Sequence, residues 1–140
     1  MKIKKIYLMT EDKYEKNKGI FPAIDEGWWL RDKGIGRIFV GCIQEGGIFA
    51  KGEAAAYIPK GIRPVAEFVP DEDNTLIPGD KVTDDKGITY TVLEIGKDKI
   101  IALADECLGY MPYSKGVPAY ETSPIKTFLE NYIGQTQKAA

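Results

Sequence analysis

The chain has 140 residues, of which 44% are hydrophobic and 29% are charged, a balance typical of one folded domain and too apolar for a disordered chain. Its 19 basic and 21 acidic residues give a net charge of −2, and the basic residues are scattered, so we expect no broad surface for duplex nucleic acid. No apolar stretch is long enough to cross a bilayer, and none follows the basic N-terminus as in a signal peptide, so we expect a cytoplasmic protein that does not engage a membrane.

The first half of the chain predicts one short helix among several strands. Thr10 is a good N-cap, and negative charge in the first turn favours a helix that ends near Lys16. The predicted strands are 3–9, 28–31, 37–43, 48–50 and 61–68, with a hairpin turn at 44–47. Because adjacent residues of a strand point to opposite faces, one of Trp28 and Trp29 fills the core while the other covers a second layer or lines a pocket.

The stretch 70–80 is rich in turn-forming and charged residues and is the best candidate for an internal boundary. Beyond it, turns at 84–87 and 96–98 precede the predicted strands 88–95 and 99–104. Both faces of strand 88–95 are mostly uncharged, so this strand is expected to be central in its sheet.

A long loop and a helix complete the chain. The loop carries Tyr110, Tyr113 and Tyr120, which could line an interface or anchor the loop by packing. Ser123 is the predicted N-cap of the helix, Gly134 is expected to end it, and residues 135–140 are expected to fray.

Several kinds of chemistry are made improbable by residue types. Histidine is absent, which excludes imidazole-assisted nucleophiles and zinc sites with imidazole ligands. Cys42 and Cys107 lack metal-type spacing and are expected to be free core residues. The acidic clusters 71–73 and 84–85 lack the spacing of a calcium loop and are interpreted as a solvated linker and a hairpin turn. We therefore predict no metal site and no cofactor.

Three motifs resemble a bacterial and phage family of unknown function whose members read LTEEEYEKY, then WWLRSPG, then GVRPA. The corresponding segments here are MTEDKYE at 9–15, WWLR at 28–31 and GIRP at 61–64. Residues 91–94 and 120–129 also resemble a W-V-L strand and an E-x-S-x-I-x-x-W-L-N helix of that family. In the larger relatives these two segments precede WWLR, so the resemblance implies a circularly permuted order here.

The resemblance implies an α+β protein with a C-type-lectin-like fold, built on a mixed or antiparallel sheet with two short helices. It implies a single domain, 1–140, in which the second half, 80–134, completes the fold of the signature half, 1–70. The alternative is two small domains divided near Pro70, each close to the lower size limit for a stable core. Asp32-Lys33-Gly34 replaces Ser-Pro-Gly, and the sugar-binding motifs of calcium lectins are missing, so calcium-dependent sugar binding is not implied.

Two sets of residues are candidates for the site. We call Trp28, Trp29, Arg31, Arg63 and Pro64 the signature residues and interpret them as mainly structural, since aromatic pairs usually fill cores. In relatives the segment between the WWLR and G-x-R-P motifs varies and faces outward, which implies ligand-binding residues there. In this chain the predicted ligand-binding residues are Arg37, Phe39, Gln44, Phe49, Lys51, Glu53 and Tyr57. Aromatic side chains interleaved with basic ones suit a planar or anionic ligand, but an ordinary amphipathic hairpin would show the same pattern.

The leading functional hypothesis is a non-enzymatic, phage-associated module that binds a small molecule or a host protein. One concrete form is a counter-defence protein that sequesters a nucleotide immune signal or blocks a host protein. The alternatives are a phage structural or assembly protein, and a hydrolase based on carboxylates, with Glu53, Glu67 and Asp105 as candidates. A homodimer is favoured because small sheets have exposed edges to cover.

Overall fold

The structure is a computed structural model that describes residues 2–34, 39–116 and 118–139. Mostly antiparallel strands and two α-helices form it, which confirms the predicted α+β class. The strands are β1 (Ile3–Leu8), β2 (Trp28–Lys33), β3 (Phe39–Gln44), β4 (Ile48–Ala55), β5 (Lys60–Ile62), β6 (Pro64–Phe68), β7 (Lys81–Thr83), β8 (Thr89–Ile95), β9 (Ile100–Ala104) and β10 (Gly109–Met111). The helices are α1 (Glu11–Asn17) and α2 (Pro124–Ala139), preceded by a single 3₁₀ turn (Tyr120–Thr122).

The strands form two five-stranded sheets, in the orders β1-β6-β9-β8-β7 and β10-β5-β2-β3-β4. All pairings are antiparallel except β2 with β5, where Trp28 lies opposite Gly61. Each sheet contains strands from both sides of the stretch 70–80, because β9 pairs with β6 and β10 pairs with β5. Strand β8 has neighbours on both sides, as its uncharged faces predicted.

The predicted strand 61–68 was wrong as a single element. Its two ends form β5 and β6, which belong to different sheets, and Arg63 lies at the crossover. Pro64 starts β6, the position where a residue without an N–H is tolerated. Gly61 is required on the other side, because a Cβ there would lie 2.3 Å from Cys107 Sγ and 2.8 Å from Gly27 O. The G-x-R-P motif therefore joins the sheets.

An irregular register between Ile3 and Lys5 marks a β-bulge in β1. Ile3 and Ile6 are three residues apart, yet both are buried in the same core cluster. The extra residue leaves Lys4 and Lys5, although adjacent, both exposed. The bulge thus places two cationic side chains together at the edge of the first sheet.

The adjacent tryptophans divide the core as predicted. Trp29 lies in a large cluster that includes residues of both sheets and of α2, such as Ile125. Trp28 lies in a second cluster with Leu30 and Val65, against which Tyr14 of α1 packs. The two helices therefore cover different core clusters, and both tryptophans are fully buried.

Both predicted helix starts are confirmed by their caps. Thr10 Oγ1 accepts from Lys13 N at 3.1 Å, and Ser123 Oγ accepts from Lys126 N at 3.1 Å. Gly134 does not end α2, which continues to Ala139; one glycine costs an exposed helix only about 1 kcal/mol, too little to stop it by itself. Within the described chain, no helix combines the length and apolarity needed to span a membrane.

The turn at 84–87 forms as predicted, and Asp84 is buried within it. Its side chain is buried and accepts from Ile88 N at 3.1 Å and from Tyr90 Oη at 2.9 Å, and also from the hydroxyl of Tyr132. A carboxylate at this turn can therefore bind both its own hairpin and α2. This dual role explains why it is buried.

Candidate functional site

A groove of about 680 Å³ runs along β1, the edge strand of the first sheet, towards the first turns of α2. We call it the β1–α2 groove. Most of its lining side chains are charged or aromatic. They belong to β1, β2, β6, the 3₁₀ turn and α2: Lys4, Lys5, Ile6, Tyr7, Arg31, Glu67, Tyr120, Glu121, Lys126, Glu130 and Ile133.

Four cationic side chains line the groove, and they differ in their partners. Lys126 lies 2.9 Å from Glu130 Oε1 and 3.4 Å from Glu121 Oε2. In the part of the chain that the structure describes, Lys4 and Lys5 make no ion pair, and both are exposed. The groove therefore offers two ammonium groups to an incoming anion.

Arg31 presents a planar cation in the groove. Its Cζ lies 4.5 Å from the centroid of the Tyr120 ring, and its Nη2 lies 3.1 Å from Glu121 Oε1. Tyr113 Oη donates to Arg31 O at 2.7 Å, which ties the loop before Tyr120 to β2. Burial raises the pKa of Tyr120, so its ring stays neutral under the guanidinium. The stacked pair is a ready surface for a planar ligand group.

Tyr7 and Glu67 are held together at the bottom of this lining. Tyr7 Oη donates to Glu67 Oε2 at 2.5 Å, and Lys99 Nζ lies 3.9 Å from the other carboxylate oxygen. Burial, followed by the bond to Glu67, raises the pKa of Tyr7. Glu67 is thus engaged as a hydrogen-bond acceptor.

The other hydrolase candidates lie elsewhere. Asp105 accepts from Thr91 Oγ1 at 2.5 Å and from Lys81 Nζ at 2.9 Å, and it lines a different cavity from Glu67. The side chain of Glu53 lies outside the described residues. Over the residues that the structure covers, no cluster of three or more cysteine or acidic side chains is placed to bind a metal ion.

The described members of the predicted ligand-binding set lie on the β3–β4 hairpin or just beyond it. Phe39 and Gln44 stand at opposite ends of β3, and Tyr57 is exposed beyond β4. Phe49 is partly buried, with its ring centroid 5.1 Å from that of Tyr14. Arg37 lies outside the described residues, as do the side chains of Lys51 and Glu53. None of the described members lines the β1–α2 groove, so their role in binding stays a prediction.

The signature residues divide into two groups. Trp28, Trp29, Arg63 and Pro64 are buried, whereas Arg31 is partly exposed in the groove. Trp29 Nε1 donates to Met111 O at 2.9 Å, so it also ties β2 to β10. Neither the groove lysines nor Tyr7 belongs to the residues predicted from the sequence to form a site. The adjacent lysines of β1 were the one sequence feature that pointed to the groove. Their exposure on the same side depends on the β-bulge, which the alternation of residues along a strand does not predict.

Comparison of the chain with protein-family models, with curated proteins and with solved structures finds no match in any of the three. The resemblance carried by the WWLR and G-x-R-P motifs therefore stays a prediction.

Proposed function

We propose that this protein is a non-enzymatic binding module whose β1–α2 groove takes an anionic small molecule with a planar group, of the nucleotide class. The observation that carries the proposal is the pair of exposed lysines, Lys4 and Lys5, in the same groove as Arg31 stacked on Tyr120. Ammonium groups bind phosphate oxygens, and the stacked pair offers a flat surface to a base.

The size and charge of the groove support a small ligand. Its volume of about 680 Å³ is in the range of sites for drug-sized molecules. Its three carboxylates are engaged: Glu67 by Tyr7, Glu121 by Arg31 and Lys126, and Glu130 by Lys126. An anion therefore meets two lysines whose charge is not already compensated by a described carboxylate.

A binding role also agrees with the state of the acidic side chains. A general acid or base works best when its pKa is near the working pH and it can reach the substrate. Glu67 is occupied by a tyrosine hydroxyl, and Asp105 by a threonine hydroxyl and a lysine. These arrangements suit structural acceptors and argue for binding over hydrolysis.

The wider assignment is part of the same proposal. We propose that the chain is a circularly permuted C-type-lectin-like member of the WWLR and G-x-R-P family, and that it acts in the cytoplasm as a phage-associated counter-defence protein. In this role it sequesters a nucleotide immune signal. The positions of the motifs support only the family assignment, since GIRP forms the crossover between the sheets and Trp28 and Trp29 belong to the two core clusters. We also propose a homodimer formed through an exposed sheet edge, which light scattering would test.

A thermal-shift and calorimetry series with a mononucleotide, a cyclic dinucleotide and ADP-ribose tests the proposed ligand class. A ligand at about 100 times its Kd should raise the free energy of unfolding by about 2.7 kcal/mol. The variant carrying Lys4→Glu and Lys5→Glu should weaken binding by at least about tenfold through charge reversal. Lys97→Glu, in the exposed turn between β8 and β9, is the matched control and should leave affinity unchanged.

Two results would overturn the proposal. One is the absence of binding by every nucleotide in the series. The other is binding that the double variant and the Lys97→Glu control affect equally, because the ligand would then sit outside the groove.

A further inference from the structure

Arg63 is a completely buried cation whose hydrogen bonds are incomplete. Its exposed fraction is 0%. Nε donates to Ala104 O at 2.6 Å and Nη2 donates to Pro22 O at 2.7 Å. Nη1 is also buried and has no hydrogen-bond partner among the described residues. A guanidinium carries five N–H donors, so capacity for an acceptor remains.

The charge of Arg63 also lacks a counter-ion. No carboxylate in the described chain lies within ion-pair distance of it. Burial lowers its pKa to about 10, which still leaves the guanidinium charged at neutral pH. A buried charge is ordinarily paired, because its lost hydration must be replaced.

Aromatic rings replace only part of that hydration. Arg63 Cζ lies 5.0 Å from the centroid of a Trp28 ring and 5.2 Å from that of Phe21. Such contacts stabilise the cation electrostatically, but a ring face is a weak acceptor and leaves the in-plane N–H groups in need of partners.

A small cavity adjoins these groups. Its volume is about 60 Å³, and its lining includes Arg63, Lys18 and the rings of Tyr14, Phe21 and Trp28. The rest of the lining is alanine, isoleucine and glycine, so the cavity has two cations and no acid. This volume corresponds to about two water molecules, which is far too small for a nucleotide.

We propose that this cavity, which we call the Arg63 cavity, binds a small anionic group, either a chloride ion or a carboxylate, that accepts from the Arg63 guanidinium. Lys18, whose ammonium group also lies 3.1 Å from Glu15 Oε2, adds a second cation to the lining. The aromatic lining excludes bulk water and so strengthens the interaction with Arg63. The site is separate from the β1–α2 groove, with which it shares no lining residue. It gives the signature residues Trp28 and Arg63 a binding role beside their structural one.

Tryptophan fluorescence tests the proposal, because Trp28 contacts the guanidinium. The full chain is titrated with sodium chloride and with sodium acetate, and the ionic strength is kept constant with the sodium salt of MES, a sulfonate too bulky for the cavity. We expect a saturable change with chloride, with acetate or with both. A response to acetate alone would identify a carboxylate-bearing ligand, and a response to chloride a free ion. A signal that follows total salt, or no saturation up to about 0.5 M, would refute the proposal.

Two variants of one surface ion pair supply the matched control. Lys18 Nζ lies 3.1 Å from Glu15 Oε2, and both side chains are largely exposed, so neither change threatens the fold. Lys18→Gln should raise the apparent Kd for the anion about twofold to fivefold, as expected for the loss of a partly exposed charge. Glu15→Gln breaks the same ion pair but keeps the lysine, so it should not raise this Kd. Equal responses of the two variants would overturn the proposal.

The Lys4→Glu and Lys5→Glu double variant should keep the anion response in full. Its loss there would place the anion in the β1–α2 groove and refute the Arg63 cavity as the site. This outcome is independent of whether the groove binds nucleotides.

Discussion

Asp84 connects the β7–β8 hairpin to α2, and we expect Asp84→Ala to destabilise the protein strongly. The carboxylate accepts from Lys86 N at 2.9 Å and Ile88 N at 3.1 Å within the turn. It also accepts from the Tyr90 and Tyr132 hydroxyls, of which Tyr90 is fully buried. Alanine would remove the acceptor that these donors share, and the two tyrosine hydroxyls would keep only each other as partners.

The magnitude follows from the surroundings of each donor. A hydrogen bond to a charged group contributes about 1.5–3 kcal/mol, and a buried donor left unsatisfied costs about 1–3 kcal/mol. The two turn N–H groups can recover water because Lys86 is exposed and Ile88 is only partly buried. The tyrosines, and chiefly Tyr90, therefore dominate, and the expected loss is about 4 kcal/mol in the free energy of unfolding. For a chain of this length that corresponds to a fall of about 15 °C in Tm.

Urea denaturation followed by tryptophan fluorescence measures this loss. Tyr132→Phe removes a single hydroxyl of a half-buried side chain and should lose only about 1 kcal/mol. The Asp84→Ala and Tyr132→Phe double variant should be little less stable than Asp84→Ala alone, since both changes remove the same bond. A loss below about 1 kcal/mol for Asp84→Ala, or additive losses in the double variant, would show that Asp84 does not connect the hairpin to α2.

Three further outcomes are expected. The pKa of Glu94 is lowered below 4.5, because the hydrogen bonds and charges of Lys13 and Lys16 outweigh the effect of burial. Its contribution to the free energy of unfolding, up to about 1 kcal/mol, should be full above pH 4.5 and lost as the pH falls through the folded pKa. The stability difference between the protein and Glu94→Gln should therefore vanish in an acid titration. Gly61→Ala should cost about 2 kcal/mol in urea denaturation because its Cβ would clash with Cys107 Sγ, and Cys107→Ala should restore part of the loss. Burial, and then a hydrogen bond to a carboxylate, raises the pKa of Cys107 to about 12. Iodoacetamide should therefore alkylate Cys107 far more slowly in the native protein at pH 8 than in urea, as followed by mass spectrometry. Equal alkylation rates would contradict this expectation.

Local signals in the sequence were sufficient for most of the elements. The Thr10 and Ser123 caps predicted the starts of both helices, and the turn residues between β8 and β9 predicted that hairpin. Signals of this kind act over a few residues, where backbone hydrogen bonds and side-chain caps decide the conformation. Strand β10 has only three residues and pairs with β5, far away in the chain, so no local pattern could reveal it.

The crossover at Arg63 shows a different limit. Residues 61–68 have the β-branched and apolar side chains of a single strand. Such a pattern indicates which side of a strand is buried, but it does not indicate which sheet the strand joins. Pro64 restricts backbone hydrogen bonding at the start of β6, and this was the one local sign of a break. The groove was unpredictable for the same reason, because Lys4, Arg31 and Lys126 come from three elements that only the tertiary fold brings together.

The buried charge of Arg63 bears both on the stability of the fold and on the proposed binding of an anion. A neutral polar side chain of suitable length would be enough to link the sheets by donating to Ala104 O and Pro22 O. A full positive charge adds a desolvation cost that these two hydrogen bonds do not offset. The charge is reasonable if an anion occupies the adjoining cavity, since ion and guanidinium then neutralise each other inside the core. On this view occupancy should stabilise the junction of the two sheets, and the free energy of unfolding should rise with chloride or acetate concentration in the protein but less in Lys18→Gln. If neither anion changes the free energy of unfolding, the aromatic rings and the two carbonyl groups alone compensate the charge of Arg63, and its role is purely structural.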